Sequence, residues 1–408
     1  MQSLTPSSQF RSNLSTMPPR TRCAMRFIFL ALLPLCLSVP ASAETPPRSL
    51  NDLLEPIRAK HKLPALAACV VTADGVQAIG VCGTRRAGKD EPATADDLWH
   101  LGSCTKSMTA TLVARLVEQG KLKWSTSLGE SFPELKDAMD PAWAPVTLEQ
   151  LLANRGGAPA GLDRDGLWGK CWAHKGTARE ARRLLLEGVV KHPPEYEPGT
   201  KFLYSNANFA IAGHFAEAAA DLGWEELIQR EVFKPLGITA AGFGAPGKKG
   251  DKADQPRGHG GNGSPVEPGP GADNPVAIGP AGIVHMSLTD WSRFVAAHLR
   301  GAAGDAVKGA DGKPFLNPDS WKKLHTPPAD GYAMGWSVST RGWAKGGKPG
   351  DTGRVLTHNG SNTMWFCVTW LAPEKGFAVL VACNTGADGA GKGTDDAAAA
   401  LIGDWQKK

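Results

Sequence analysis

Strand-like segments lie near both ends of this chain, and a long helical block separates them. Residues 65–72 and 76–83 are apolar runs around Asp74-Gly75, a dipeptide typical of tight hairpins. Residues 364–371 and 377–383 form a second such pair around a four-residue connection. Because the helical block interrupts the strand-rich parts, we expect the first and last segments to pair into one antiparallel sheet. The pattern therefore predicts a mixed α/β (α+β) fold.

The helical block covers residues 121–240. Thr147 and Gln150 have the spacing of a capping box, which marks the start of one helix in this block. Residues 241–275 are rich in Gly and Pro and have few large apolar side chains, which predicts a long surface loop bordering the functional site. Apolar periodicity predicts helices over 50–60, 106–120, 178–190, 207–220 and 397–405.

The first 43 residues have the features of an export signal. Arg20, Arg22 and Arg26 precede an apolar run over 27–39, and Ala41-Ser42-Ala43 fits a cleavage site. A membrane anchor is the alternative, but the run is short for a bilayer span. We therefore expect a signal peptide over 1–43, a periplasmic or secreted location and no stable membrane insertion after cleavage.

The charge pattern does not indicate nucleic acid binding, and the cysteine pattern does not indicate a metal site. The full chain has a net charge of +5, and no basic run or aromatic-basic interleaving indicates nucleic acid binding. The chain has eight cysteines, but no Cys-x-x-Cys pair or Cys/His cluster predicts a metal site. Free, buried cysteines are expected, with proximity of Cys367 and Cys383 on flanking strands as the alternative.

A serine stands three residues before a lysine where a helical segment begins. Three residues along a helix make about one turn, so the side chains of Ser103 and Lys106 point the same way. A serine hydroxyl needs a neighbouring base, and burial turns lysine into one by lowering its pKa. The helix N-terminus adds backbone N–H groups that suit an oxyanion. This stretch predicts a nucleophile and its base.

A second candidate segment is Tyr204-Ser205-Asn206, just before a predicted helix. A buried tyrosine near a cation loses its proton more easily, so Tyr204 is expected to relay a proton between the serine and the leaving group. Asn206 offers both a donor and an acceptor that can fix Lys106 or a substrate amide. A packed tyrosine followed by a helix-capping asparagine is the structural alternative.

The third candidate segment is His358-Asn359-Gly360-Ser361, before a predicted strand. Gly360 allows a substrate backbone to lie close to the strand edge. The Ser361 N–H is expected to be the second oxyanion donor, opposite the Ser103 N–H. A donor or cation at His358 is expected to hold an acid group of the substrate, and the alternative is a histidine at a strand end.

Two of the three patterns recur elsewhere in the chain, and only Tyr-x-Asn occurs once. Ser-x-x-Lys occurs again at Ser320 and Lys323, and His-x-Gly occurs also at His100, His174 and His259. Their order along the chain carries more information than any one of them.

Taken in that order, Ser103-x-x-Lys106, Tyr204-x-Asn206 and His358-x-Gly360 resemble the three motifs of the serine β-lactamase and penicillin-binding protein superfamily. The Tyr-x-Asn form resembles the branch of class C β-lactamases, D-alanyl-D-alanine carboxypeptidases and related esterases. Flanking stretches that also match are 198–203, 233–238, 279–283 and 332–336. The resemblance covers roughly residues 50–405.

The resemblance implies one hydrolase domain over 44–408 with two lobes. An antiparallel sheet with helices would form the lobe of residues 44–102 and 285–408, and residues 103–284 would form an all-helical lobe. It also implies acyl transfer through an acyl-enzyme on Ser103, with Lys106 and Tyr204 handling protons and Asn206, His358, Gly360 and Ser361 binding the substrate. No cofactor or metal is implied.

The third motif departs from that of class C β-lactamases, which carry Lys-Thr-Gly there. This chain has no Lys-Thr-Gly, and histidine is mostly neutral near pH 7 unless paired. Arg257 also replaces an expected aromatic residue. We therefore expect a serine hydrolase of small esters or amides, including D-alanyl peptides. A true β-lactamase, or a penicillin-binding receptor that is acylated without turnover, are the alternatives.

Overall fold

The computed structural model describes residues 46–329 and 331–407. The predicted signal peptide over 1–43 lies outside the described residues. Within them the chain combines helices with largely antiparallel sheets, which confirms the predicted α/β (α+β) class. Among the described helices, none has the length and apolar character that crossing a bilayer requires.

An eight-stranded sheet forms the centre of the fold, in the order β1-β3-β2-β13-β12-β11-β10-β9. The first hairpin and the last hairpin meet at the antiparallel pair β2–β13, as expected from their positions in the chain. Three short strands form a second sheet in the order β4-β8-β5. The strands are β1 (Arg48–Ser49), β2 (Ala65–Thr72), β3 (Gly75–Gly83), β4 (Leu98–His100), β5 (Ala241–Phe243), β6 (Gly258–His259), β7 (Pro265–Val266), β8 (Val284–Ser287), β9 (Tyr332–Ala333), β10 (Trp336–Thr340), β11 (Arg354–Ser361), β12 (Phe366–Ala372) and β13 (Phe377–Cys383).

The helices follow the predicted positions closely, and the capping box of Thr147 and Gln150 is formed. The last helix begins eight residues before the predicted start at 397, because three glycines at its N-terminal end hid the helical pattern. The helices are α1 (Asn51–Lys60), α2 (Thr105–Glu118), α3 (Leu128–Ser131), α4 (Leu148–Leu152), α5 (Leu167–Ala173), α6 (Ala178–Val190), α7 (Asn206–Ala220), α8 (Trp224–Ile228), α9 (Gly279–Gly282), α10 (Leu288–Ala303), α11 (Pro318–His325) and α12 (Gly389–Trp405).

Two hydrophobic clusters cover the two faces of the central sheet. Alternate residues of β2 enter different clusters, with Cys69 in one and Val70 in the other, as the two-residue period of a strand requires. Cys367 and Cys383 lie one register position apart on the neighbouring strands β12 and β13, but their side chains enter different clusters and do not face each other. The Cys367 Sγ instead lies 3.6 Å from the Sγ of Cys104, and the described cysteines are free.

Residues 241–275 do not form a loop that lies wholly on the surface. Their first residues pair as β5 with β8, and Arg257 and His259 are fully buried. His259 donates through Nδ1 to the Asn384 carbonyl at 2.6 Å and accepts from the Ala87 N–H at 3.0 Å. The segment therefore packs through buried polar side chains, of which His259 has both ring nitrogens hydrogen-bonded, instead of large apolar ones. The composition could not reveal this.

Candidate active site

The candidate serine lies on a tight turn that connects β4 to α2. Gly102 adopts a left-handed φ of 46°, and a Cβ atom there would lie 2.4 Å from the Ser361 nitrogen. A Cβ atom on Gly360 would lie 2.9 Å from the Ser103 nitrogen. Only glycine fits at either position. The serine turn and the end of β11 therefore pack backbone to backbone, which brings the amides of Ser103 and Ser361 together.

Lys106 lies one helical turn beyond Ser103 and is fully buried. Its Nζ is 3.1 Å from Ser103 Oγ, 2.7 Å from Asn206 Oδ1 and 2.9 Å from the Ala281 carbonyl oxygen. None of these contacts is with a carboxylate. Burial lowers the pKa of Lys106 to about 7, because water no longer stabilises the ammonium.

The hydrogen-bond partners of Lys106 determine where its lone pair points when the amine is neutral. The Ala281 carbonyl and the Asn206 Oδ1 can only accept, so they take the two remaining hydrogens. The Ser103 hydroxyl can also donate. The lone pair of a neutral Lys106 therefore faces Ser103 Oγ, which is the arrangement a general base needs.

The second match to Ser-x-x-Lys lacks this environment. Lys323 is about one-third exposed and forms an ion pair with Glu149, so its charge is compensated. The Ser320 N–H is held by the Asn317 side chain in an ordinary helix cap. Burial without a counter-charge thus distinguishes Lys106 from Lys323.

Tyr204 lies beside Ser103 and Lys106, and its ring centroid is 4.8 Å from Lys106 Nζ. Desolvation raises the pKa of Tyr204 to about 12, although a hydrogen bond with Ser103 opposes the shift. The expectation of an easily lost proton is therefore wrong, because removal of the hydroxyl from water disfavours the phenolate. The side chain as a whole is 37% exposed, so the desolvation concerns its hydroxyl end rather than the outer part of the ring.

His358 lies close to Tyr204 but is already held by protein atoms. Its Nδ1 donates to the Asn359 carbonyl at 2.5 Å, and its Nε2 is 3.3 Å from the hydroxyl of buried Tyr332. The ring centroids of Tyr204 and His358 are 6.2 Å apart. Both ring nitrogens of His358 therefore lie within hydrogen-bond distance of protein atoms.

Several groups at this site were not identified as functional candidates from the sequence. The Ala281 carbonyl is a backbone acceptor, and no residue type encodes it. Tyr332 belongs to a stretch that carries the family resemblance, and its hydroxyl contacts His358. His100 is one of the other His-x-Gly matches, and its ring accepts from the amide of Gly102, next to Ser103. Within residues 46–329 and 331–407, no group of three or more His, Cys, Asp or Glu side chains is arranged to hold a metal ion.

Comparison with known proteins identifies the family. Residues 50–404 match the family model described as Beta-lactamase, so the chain belongs to the beta-lactamase family. The resemblance found in the sequence is thereby confirmed. Because the family and its relatives are hydrolases, this protein is an enzyme of the serine hydrolase type.

Individual relatives have different named activities. Penicillin-binding protein 4 of Amycolatopsis lactamdurans is 25% identical over 345 residues, which cover 82% of this chain and 84% of that protein. The lovastatin esterase of Penicillium rubens is 28% identical over 173 residues, covering 39% of this chain and 43% of the esterase. The solved structure of D-alanine carboxypeptidase AmpC from Burkholderia cenocepacia has the same fold, with a TM-score of 0.65, 20% identity and coverage of 86% and 96% of the two chains.

Proposed function

We propose that this protein is an exported serine hydrolase that cleaves small esters or amides through an acyl-enzyme on Ser103. One observation carries the proposal: the Ser103 hydroxyl lies 3.1 Å from a fully buried lysine whose pKa is lowered to about 7. An amine that is neutral near pH 7 accepts a proton, and a serine in contact with such a base becomes a nucleophile.

In the first step, Ser103 Oγ attacks the carbonyl carbon of the substrate and its proton passes to Lys106 Nζ. The carbonyl oxygen becomes an oxyanion and accepts hydrogen bonds from the backbone N–H groups of Ser103 and Ser361. As the bond to the leaving group breaks, the Tyr204 hydroxyl gives that group its proton. Lys106 then returns its proton to Tyr204. A phenol with a pKa of about 12 is protonated at neutral pH, which suits this donor role.

In the second step, water attacks the acyl carbon and releases the acid, which regenerates the Ser103 hydroxyl. Asn206 fixes Lys106 through its Oδ1. The space beside Gly360 is filled by the backbone of the serine turn, and not by a substrate backbone as the sequence suggested. The protons move between side chains of this chain, and no step calls on a metal ion or cofactor.

The surroundings of the serine combine exposed aromatic side chains with an imidazole that already contacts protein atoms. Both ring nitrogens of His358 are engaged by protein atoms. Phe202 and Tyr204 are each more than one-third exposed and pack against Tyr332, which offers an apolar surface for an acyl group. The names of the relatives, an esterase and a carboxypeptidase among them, agree with esters or D-alanyl peptides as substrates.

Ser103→Ala is expected to abolish hydrolysis of p-nitrophenyl acetate, a loss of at least about 10³-fold, because the acyl-enzyme cannot form. The matched control is Ser320→Ala, which removes the serine of the second Ser-x-x-Lys match and is expected to have wild-type kcat. Intact-mass spectrometry after quenching is expected to show an acyl adduct on the wild type and none on Ser103→Ala. Retained activity in Ser103→Ala would refute the proposal.

Parallel rates on nitrocefin decide between the proposed esterase or peptidase and the alternatives. We expect kcat/KM for the ester to exceed that for nitrocefin. A higher value for nitrocefin identifies a β-lactamase, and a stable penicillin adduct without turnover of either substrate identifies a receptor. Fractionation of cells that express the full chain tests export, which is expected to leave activity in the periplasm or the medium.

A further inference from the structure

Three buried side chains form a hydrogen-bonded chain behind the serine turn. The Gly102 N–H donates to His100 Nδ1 at 3.1 Å, and His100 Nε2 is 2.8 Å from Asp273 Oδ2. Asn362 Nδ2 donates to the other carboxylate oxygen of Asp273 at 3.0 Å. Each of the three side chains is less than a tenth exposed. We call His100, Asp273 and Asn362 the clamp.

The clamp contains a His–Asp pair next to the nucleophile, yet it is not a Ser-His-Asp triad. In a triad, one imidazole nitrogen faces the serine hydroxyl and the other faces the carboxylate. Here Nδ1 of His100 accepts from the Gly102 amide, so the proton is on Nε2, which donates to Asp273. No imidazole nitrogen is left for Ser103 Oγ, which is paired with Lys106.

The two ends of the clamp hold the two turns that supply the oxyanion donors. His100 fixes the amide of Gly102, directly before Ser103. Asn362 directly follows Ser361, and its Oδ1 accepts from the Met364 and Trp365 amides, which fixes the turn between β11 and β12. Asp273 comes from the 241–275 segment and is the acceptor shared by both ends.

We propose that the clamp positions the Ser103 and Ser361 N–H groups relative to each other, with Asp273 as the positioning residue that joins the two turns. The proposal rests on the proposed function, because it assigns the clamp to the oxyanion site of that reaction. An oxyanion site works only when both donors are aimed at the developing charge before the reaction begins. Loosening one turn against the other therefore weakens binding of the transition state more than binding of the substrate.

The test is Asp273→Asn, which keeps the shape of the side chain but can accept from only one of the two turns through its single oxygen. We expect kcat for p-nitrophenyl acetate to fall about 10- to 100-fold, somewhat less than for the loss of a whole donor, with KM changed by less than about threefold. Phenylboronic acid, which forms a tetrahedral adduct on a reactive serine, is expected to lose affinity by the same factor as kcat.

The matched control is Glu217→Gln, which alters an equally buried His–carboxylate pair away from the serine turn. Glu217 Oε2 lies 2.7 Å from His214 Nδ1. This variant is expected to lower the Tm but to leave kcat and the phenylboronic acid affinity of the folded protein unchanged. A general effect of damaging a buried pair is thereby separated from a positioning effect.

Two further variants keep the test decisive if Asp273→Asn does not fold. His100→Asn places an acceptor where Nδ1 stood, and His100→Gln places a donor where Nε2 stood, so each breaks the chain at a different bond. Wild-type kcat in folded Asp273→Asn, or in both His100 variants, overturns the clamp. If Ser103→Ala is active, the proposed function fails first and the clamp fails with it; if Ser103→Ala is inactive, the clamp variants alone decide.

Discussion

Two fully buried cations of this protein illustrate opposite solutions to the same problem. Lys106 beside the serine contacts two neutral oxygens and a hydroxyl, and burial lowers its pKa to about 7. Arg182 on α6 contacts the carboxylates of Glu217 and Glu225. Burial alone would lower the pKa of Arg182, but the two carboxylates hold it above the usual value.

The difference lies in what each cation is paired with. A buried cation with carboxylate partners keeps its charge and holds helices together, whereas one without them gives up its proton. The same depth of burial therefore produces a structural ion pair in one region and a base in the other. Substitutions at the two positions should have opposite effects on activity and stability.

The largest effect is expected from Lys106→Met, which keeps an aliphatic chain of similar length. Loss of the base should reduce kcat/KM for p-nitrophenyl acetate about 10³- to 10⁴-fold. Stability should be unchanged or higher, because a buried amine without a counter-charge is removed. The stability gain over the wild type should be largest below pH 7, where the folded wild type buries a charged lysine. Between pH 7 and 10.5 the unfolded wild-type chain binds a proton that the folded protein has lost, so the stability of the wild type rises with pH and the gain shrinks. Wild-type kinetics would remove Lys106 from the mechanism.

Arg182→Met is expected to show the opposite behaviour. It leaves two carboxylates without their shared cation and should destabilise the protein by about 3–5 kcal/mol. Chemical denaturation measures the loss, and kcat per folded molecule should stay at the wild-type value. A fall in kcat that matches Lys106→Met would contradict the division of roles between the two cations.

Tyr204→Phe sharpens the comparison inside the site, because it removes one hydroxyl and keeps the ring next to Lys106. Loss of the proton donor should lower kcat about 10²-fold. The effect should be smaller for p-nitrophenyl acetate than for an alkyl ester, since a good leaving group needs less help from an acid. Equal losses for the two substrates would argue against donation to the leaving group.

The smallest effect is the pH dependence of acylation. The active form has neutral Lys106, so the rate should rise with pH through about 7 and fall about tenfold per pH unit below that value. Stopped-flow bursts at the isosbestic wavelength of p-nitrophenol measure it, and Arg182→Met should have the same profile. A rate that is constant from pH 5.5 to 8 would show that Lys106 is not the titrating base.

The parts of this protein that depend on local sequence were predicted well. The strand over 65–72 and the helix over 178–190 have the predicted bounds, because alternation and helical periodicity are short-range signals. The start of α12 was missed because three glycines interrupt the pattern there. Helix propensity and periodicity do not predict a glycine-rich helix end, because such an end is stabilised by packing.

The residue types in the site could be predicted from the sequence. Their burial and their contacts with distant parts of the chain could not. The structure brings Ser103, Lys106 and Tyr204 together, and their roles stay a proposal until the variants are measured. The protonation of Tyr204 was wrongly predicted, because its pKa depends on burial. The contacts of Asp273 with His100 and Asn362 could not be predicted, because these two residues are more than eighty positions away from it in the chain.

The two glycines that line the contact between the serine turn and β11 limit how this enzyme can be re-engineered. Even an alanine methyl group at Gly102 or Gly360 would collide with backbone atoms of the facing segment. Libraries that seek new substrates should therefore leave both codons fixed and diversify the exposed Phe202 instead. Among diverged relatives, we expect proteins with another residue in place of either glycine to have lost hydrolysis.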